Sequence, residues 1–432
     1  MSGPSRPDAA ALAASLADDL DRTLAEADRE LRNGYPGVLG SRQPVHTVYV
    51  PADRAHPDVC RDWGAQALAL LDRYAPDVGR AGAVTGLGDA LDGAAYDAVR
   101  AKLADQPVED LRLDVEDGYG HRPDAEEDAA IASAAQTLTL VAATPGRPLR
   151  SGVRIKSFEA PTRRRALRSL TQLVEALVAA GGLPDGLVVT LPKVTSVAQV
   201  RAMALACERL EGEYALPAGR LRFEIQVETP QAILAADGTA AVAAMVHAAA
   251  GRCSALHYGT YDYSAALGIA AAQQSLEHPA ADHAKAVMQL AAAGTGVELS
   301  DGSTNVVPVG TGDQIAAAWR LHARLVQRSL ARGYYQGWDM HPGHLPTRYL
   351  ATYAFFRSAL PVAAGRLRDY LGQVGGGVMD EPATARALAD AVLRGVDCGA
   401  VGAAEAAELT GADPAQLAAL AQRRLTPFLE GG

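Results

Sequence analysis

Residues 223–268 constrain the fold most. They read FEIQVETPQAI and then, after a helical stretch, LHYGTYDYSAALG. Each half is a short apolar strand running into a carboxylate, Glu228 in the first and Asp262 in the second, with a helix restarting at once. In successive parallel βα units the C-terminal strand ends share one face, so acids on neighbouring units converge there without a dedicated loop. Two carboxylates, water and an oxygen-rich substrate suit Mg2+, which keeps several waters and is seldom caged by protein alone. The competing reading is that Glu228 caps the next helix and Asp262 occupies an ordinary turn.

The rest of the chain repeats that unit. HTVYVPADR (46–54) reads as a first strand ending at Pro51, and VCRDWGAQALALLDRY as the helix after it, with apolar residues at helical spacing. A Gly-rich stretch and a second helix precede LRLDVEDGYGHRPDAEED (111–128), a strand that breaks into Glu116, Asp117 and Gly118. GVRIKSF (152–158) is expected as strand three, with Arg154 and Lys156 on one face because strand side chains alternate. LPDGLVVTLPKVTS supplies strand four, ending at Pro192 and Lys193, with Ser196 as a helix cap. The central pair comes fifth and sixth. AGTGVELSDGSTNVVPVG holds one strand or a short hairpin, and YYQGWDMHPGHLP an eighth strand ending at His341 and Pro342.

Eight strands separated by helices spell a TIM (β/α)8 barrel, class α/β, over residues 45–348. An open doubly wound sheet should carry a Gly-rich phosphate turn after its first strand, and none is present. Residues 1–44 form an N-terminal helical extension, and 349–432 a C-terminal helical tail or lid hinged on Gly375, Gly376 and Gly377, with Asp380 starting the helix beyond.

Composition narrows the function. Forty basic against fifty acidic residues leave a net charge of −10, which argues against nucleic-acid or anionic-membrane binding. Cys60, Cys207, Cys253 and Cys398 are scattered, without a CxxC pair, as in a reduced cytoplasmic protein. The N-terminal stretch has acids at every turn and reads as an amphipathic helix rather than a signal peptide; no apolar run reaches membrane-spanning length.

Eight segments in order, VYVPADR, DVEDG, VRIKS, VTLPKV, QVETPQAI, GTYDYSAALG, GWDMHPGHL and VMDEP, resemble the HpcH/HpaI aldolase and citrate lyase β-subunit family, to whose superfamily the malyl-CoA lyases belong. The resemblance runs from about residue 45 to about 395. It implies a barrel holding Mg2+, with Mn2+ as the substitute, through Glu228 and Asp262. It implies that Arg154 binds the carboxylate of an oxo acid and helps stabilise an enolate, and that Glu116 and Asp117 surround metal-bound waters. Lys193 then either pairs with one of those acids or touches substrate. Asp380 would close over a neighbouring subunit's site as general acid/base, or else simply cap its helix. The sequence departs from the family at Lys156, which adds a cation beside Arg154; at His341-Pro342-Gly343-His344, where the family has His-Pro-x-Gln; and at YGTYDY, which looks slightly like malate synthases.

The resemblance therefore implies an Mg2+-dependent carbon–carbon lyase or aldolase, working through an enolate on a 2-oxo acid or a 3-hydroxyacyl-CoA thioester. It also implies a cytoplasmic homo-oligomer, trimer or hexamer, with small-molecule partners only. The alternatives are a phosphoenolpyruvate- or pyruvate-using enzyme of the same barrel superfamily, or a barrel that binds a metabolite without catalysis.

Overall fold

The computed structural model describes residues 8–37, 42–372 and 381–422. Eight parallel strands, β1 (His46–Pro51), β2 (Asp110–Asp114), β3 (Arg150–Arg154), β4 (Val188–Leu191), β5 (Arg222–Val227), β6 (Cys253–Tyr258), β7 (Glu298–Ser300) and β8 (Gly337–Asp339), lie in the order β7-β6-β5-β4-β3-β2-β1-β8. The two outer strands meet through an isolated bridge, Ser300 to Gln336, with Asp301 N–H donating to Gln336 O at 2.8 Å and Trp338 N–H to Gly302 O at 3.3 Å. The sheet is a nearly closed barrel with helices outside it, the α/β architecture expected.

Strand periodicity sorts the side chains. Leu111 and Leu113, or Phe223, Ile225 and Val227, face the helices and are fully buried. The alternate residues face the barrel axis, and there the chain is polar. Arg112, without exposed surface, donates to Asp110 and Glu224 and, through Nε, to Thr190 Oγ1 at 3.1 Å. Gly152 stands opposite Arg112 on β3; a Cβ there would lie 1.7 Å from the carbonyl of Val188. The barrel interior is thus an ion-paired column below the C-terminal mouth.

Several elements differ from the sequence reading. β3 begins two residues earlier than expected and stops at Arg154, so strand alternation does not reach Lys156. Between 293 and 310 only β7 forms; the SDGSTN turn belongs to a loop and not to a hairpin. Ser196 occupies the N-cap position of its helix, but its side chain makes no capping bond. Helix Leu345–Leu371 packs along helices Gly312–Ala331 and Gly93–Asp105, its inner side buried as in the other barrel helices. Helix Ala9–Gly34 has no buried residue, and Leu12, Leu16, Leu20, Leu24 and Leu31 are exposed. Gly375, Gly376, Gly377 and Asp380 lie outside the described residues. Among those described, no helix is long and apolar enough to cross a membrane.

Candidate active site

The mouth of the barrel is built on Asp114, the last residue of β2. Its carboxylate accepts from Arg154 Nε at 2.7 Å and Nη2 at 2.6 Å, and from the backbone N–H groups of Glu116 at 2.9 Å and Gly118 at 2.8 Å. One buried carboxylate therefore fixes both the guanidinium and the Glu116-Asp117-Gly118 turn. A Cβ at residue 118 would come within 2.5 Å of Asp114 Oδ2, which is why the turn needs glycine.

Arg154 stays charged: burial opposes its charge, but Asp114 outweighs burial and raises the pKa well above its ordinary value. Its guanidinium carbon lies 4.9 Å from the centroid of Tyr49 and 6.0 Å from that of Trp338. With two nitrogens held by Asp114, Nη1 points toward Gln226 Oε1 and Glu116 Oε2, both 3.5 Å away.

Glu228 directly follows β5 and is buried. It does not cap the next helix, because the Thr229 side chain accepts from Ala232 N–H and takes that place. Glu228 Oε1 accepts from the backbone N–H of Lys193 at 2.7 Å, and Oε2 from Gln226 Nε2. Gly259 lies flush against it; a Cβ there would fall 2.4 Å from the Cβ of Glu228. Burial, helped by repulsion from Asp262 and Glu116 and opposed by Lys193 and Arg154, pushes the Glu228 carboxyl up to about 8.

Asp262 is not at a strand end: β6 stops at Tyr258, and Asp262 sits in the first turn of helix Thr260–Ala266, roughly half exposed. Its Oδ2 is 3.7 Å from Lys193 Nζ. Lys193 also reaches Glu116 at 2.7 Å and Asp117 at 2.6 Å, from a backbone at φ 50°, a conformation costly for a residue with a Cβ and found where geometry is imposed by a site. Burial raises both acids' pKa values; for Asp117 the Lys193 contacts outweigh it and lower the value, whereas for Glu116 burial prevails.

Arg154, Lys193, Glu116, Asp117, Glu228 and Asp262 thus lie together, from five consecutive βα units. Two other candidates do not join them. Lys156 is buried with its ammonium on the carbonyls of Val115 at 2.7 Å and Gly120 at 3.3 Å, and 3.2 Å from Glu127. It braces the loop behind the mouth and adds no cation to it. His341 Nδ1 accepts from Gly343 N–H at 3.0 Å and caps a short turn. Asp380 lies outside the described residues. An open cavity of about 520 Å³, lined in part by Gln43, Glu298, Tyr335 and Arg394, is at the opposite end of the barrel, away from this chemistry.

Asp114, Gln226, Tyr49 and Trp338 were not singled out from sequence. The signal for two of them is present: in DLRLD and FEIQVE every second residue is polar, so Asp110, Arg112 and Asp114, and Glu224, Gln226 and Glu228, share the inner face of their strands.

Glu228 and Asp262 are the mouth residues that could hold a cation. Glu228 and Asp262 offer hard carboxylate oxygens, with no sulfur or imidazole among the mouth residues named above, and that chemistry selects Mg2+ or Mn2+ over softer metals.

A family model described as "Domain of unknown function (DUF6986)" matches residues 24–425. The chain belongs to that family. A search of curated proteins found no match. Among solved structures the chain is similar to a citrate lyase from Burkholderia xenovorans, at 20% identity and TM-score 0.53, over 88% of this chain and 96% of that one. It is also similar to CitE from Mycobacterium tuberculosis in complex with magnesium, acetoacetate and coenzyme A, at 20% identity and TM-score 0.49, over 84% and 100%. A Haloferax volcanii malate synthase magnesium/glyoxylate complex follows at 13% identity and TM-score 0.49, over 89% and 99%. At 20% identity the likeness to the citrate lyase is one of fold.

Proposed function

We propose that the chain is an Mg2+-dependent carbon–carbon lyase of the HpcH/HpaI and citrate lyase β type, acting through an enolate on a 2-oxo acid or a 3-hydroxyacyl-CoA. The observation that carries this reading is the pairing, at one barrel mouth, of a guanidinium held rigid by Asp114 with a buried, strongly desolvated Glu228 beside Asp262. Glu228 and Asp262 would hold the cation, which would supply Lewis-acid stabilisation of charge on a substrate oxygen. Arg154 offers Nη1 to the substrate carboxylate, preorganised by Asp114 and therefore needing little reorganisation as charge develops. Lys193 and Glu116 set the electrostatics of the water-facing side. Proton transfer to and from carbon falls to Asp380, carried over a neighbouring subunit, if the substrate is a thioester. The reading thus includes a cytoplasmic homo-oligomer, and trimer or hexamer is the state to look for.

The test is calorimetric titration of pyruvate, oxaloacetate, glyoxylate and acetyl-CoA, each with and without Mg2+, into wild type and Asp262→Ala. The expected result is oxo-acid binding that requires the metal and disappears in the variant; a response to acetyl-CoA selects the lyase over a simple aldolase. Binding that ignores metal in both proteins would refute the enzyme reading, leaving Lys193 as the permanent counter-charge of a metabolite-binding barrel.

A further inference from the structure

A second cluster lies on the outer face of β8, between that strand and helices Gly312–Ala331 and Leu345–Leu371. Trp338 faces the barrel axis, so Asp339 faces outward, fully buried. One ligand atom from each of His322, Asp339 and His344 lies within 4.8 Å of the others, and all three residues are buried. His322 Nε2 is 3.2 Å from Asp339 Oδ1, and the rings of His322 and His344 stack at 4.5 Å between centroids.

A backbone carbonyl fixes the ring proton of His344. His344 Nε2 faces the carbonyl of Val306 at 3.0 Å and must donate to it. Its Nδ1 is therefore a lone pair, and it is buried with no hydrogen-bond partner. Thr347 Oγ1 donates to the carbonyl of His344 at 3.0 Å and lies 2.7 Å from His322 Nδ1, so His322 turns its Nε2 toward Asp339. The unpartnered lone pair of His344, the Nε2 edge of His322 and a carboxylate oxygen of Asp339 thus converge.

The surroundings match what supports a metal ligand. Asp339 Oδ2 accepts from His46 Nδ1 at 2.8 Å, and Arg348 donates to both of its oxygens; the other nitrogens of His322 and His344 are tied to Thr347 and Val306. Gly337 makes room for Arg348, since a Cβ there would lie 2.9 Å from the guanidinium nitrogens. A cavity of about 10 Å³ abuts His322, Thr304 and Arg348 on one side of the cluster.

We infer that His322, Asp339 and His344 form a structural site for a borderline divalent metal, Zn2+ by chemistry, separate from the carboxylate site at the mouth. Two imidazoles and one carboxylate suit Zn2+ and Co2+ and discriminate against Mg2+. Because the ligands are buried, the metal enters as the chain folds and exchanges slowly.

The test uses the full chain expressed in zinc-limited, cobalt-supplemented medium and desalted into excess Mg2+. Wild type and Asp262→Ala should each retain one equivalent of Co2+ with visible d–d absorption, and His344→Phe and His322→Phe should lose both. Phenylalanine keeps the ring against its neighbour, and circular dichroism shows whether each variant is folded. If the variants do not fold, X-ray absorption at the cobalt edge of wild type decides, since it must show two imidazole ligands. Wild type without retained cobalt, an absorption band that survives in folded His344→Phe, or one that disappears with Asp262→Ala would overturn the inference. The last outcome would place the cobalt at the mouth instead.

Discussion

Replacing Arg112 by methionine removes the cation from the middle of the barrel and leaves Glu224 and Asp110 buried without it. Burial raises the Glu224 pKa, but Arg112 and then His257 outweigh it and hold the group at about 2 against an ordinary 4.5. At ~1.4 kcal/mol per tenfold change in acidity, that depression is roughly 3 kcal/mol of stability. Its sign is that of a lowered carboxylate: present above pH 4.5, lost as pH falls through 2. Breaking a buried ion pair from one side typically costs about 3–5 kcal/mol. Unfolding entropy near 2.1 cal/mol/K per residue converts this to a fall in Tm of roughly 3–6 °C for a chain this long. Scanning calorimetry at pH 7.5 measures it. His257 Nε2 lies 3.2 Å from Glu224 Oε2, and without Arg112 it becomes the counter-ion. Its folded pKa then rises, so the deficit of the variant shrinks below pH 6.5 and grows as pH increases. Arg112→Met/Asp110→Asn/Glu224→Gln neutralises the whole cluster and should recover most of the loss. Wild-type stability in Arg112→Met at pH 7.5, or a triple variant weaker than the single one, would refute this account of the barrel interior.

Other perturbations test the mouth and the core. Gly259→Ala drives a methyl into Glu228, so metal-dependent oxo-acid binding should be lost by calorimetry while circular dichroism is unchanged. Asp114→Asn removes the counter-charge and one of the two bonds to Arg154 and should weaken oxo-acid affinity by about tenfold or more, since truncating one side of a buried charge pair costs on the order of 2–5 kcal/mol. Gly152→Ala places a Cβ against the Val188 carbonyl and should abolish soluble expression. Burial pushes Cys207, Cys253 and Cys398 up to about 12, whereas Cys60 is partly exposed; iodoacetamide at pH 8 should leave those three unmodified in native protein, with Cys60 the first to react, and label all four in guanidinium.

The eight-unit barrel was legible because each unit announces itself locally: a short apolar run, a breaker, a helical period. The mouth was legible in part for the same reason, since Glu116, Lys193 and Glu228 follow strands whose ends the sequence marks. Lys156 was misplaced because alternation was extended past Arg154, where the strand had already stopped. Asp114 and the Asp110–Arg112–Glu224 column were overlooked because barrel interiors are ordinarily filled with branched apolar residues; here that expectation ran against a plain period-two polar pattern. The outward cluster of His322, Asp339 and His344 joins three separate elements, and only the packing of two helices on β8 brings them together.

The closure between β7 and β8 rests on one bridge and two further backbone bonds, and β3 and β4 are joined almost as thinly, by the pair Arg154–Thr190 and the isolated bridge Ser151–Leu187, whereas β1–β2, β2–β3 and β4–β5 share longer ladders. Mechanically the barrel is a split ring. Breathing motions concentrate at these thin junctions, where amide protons exchange soonest, so β1 to β3, with Asp114 and Arg154, and β4 to β6, with Lys193 and Glu228, ride as two arcs. Across the second junction the two halves of the mouth are tied by Lys193, whose ammonium reaches Glu116 and Asp117.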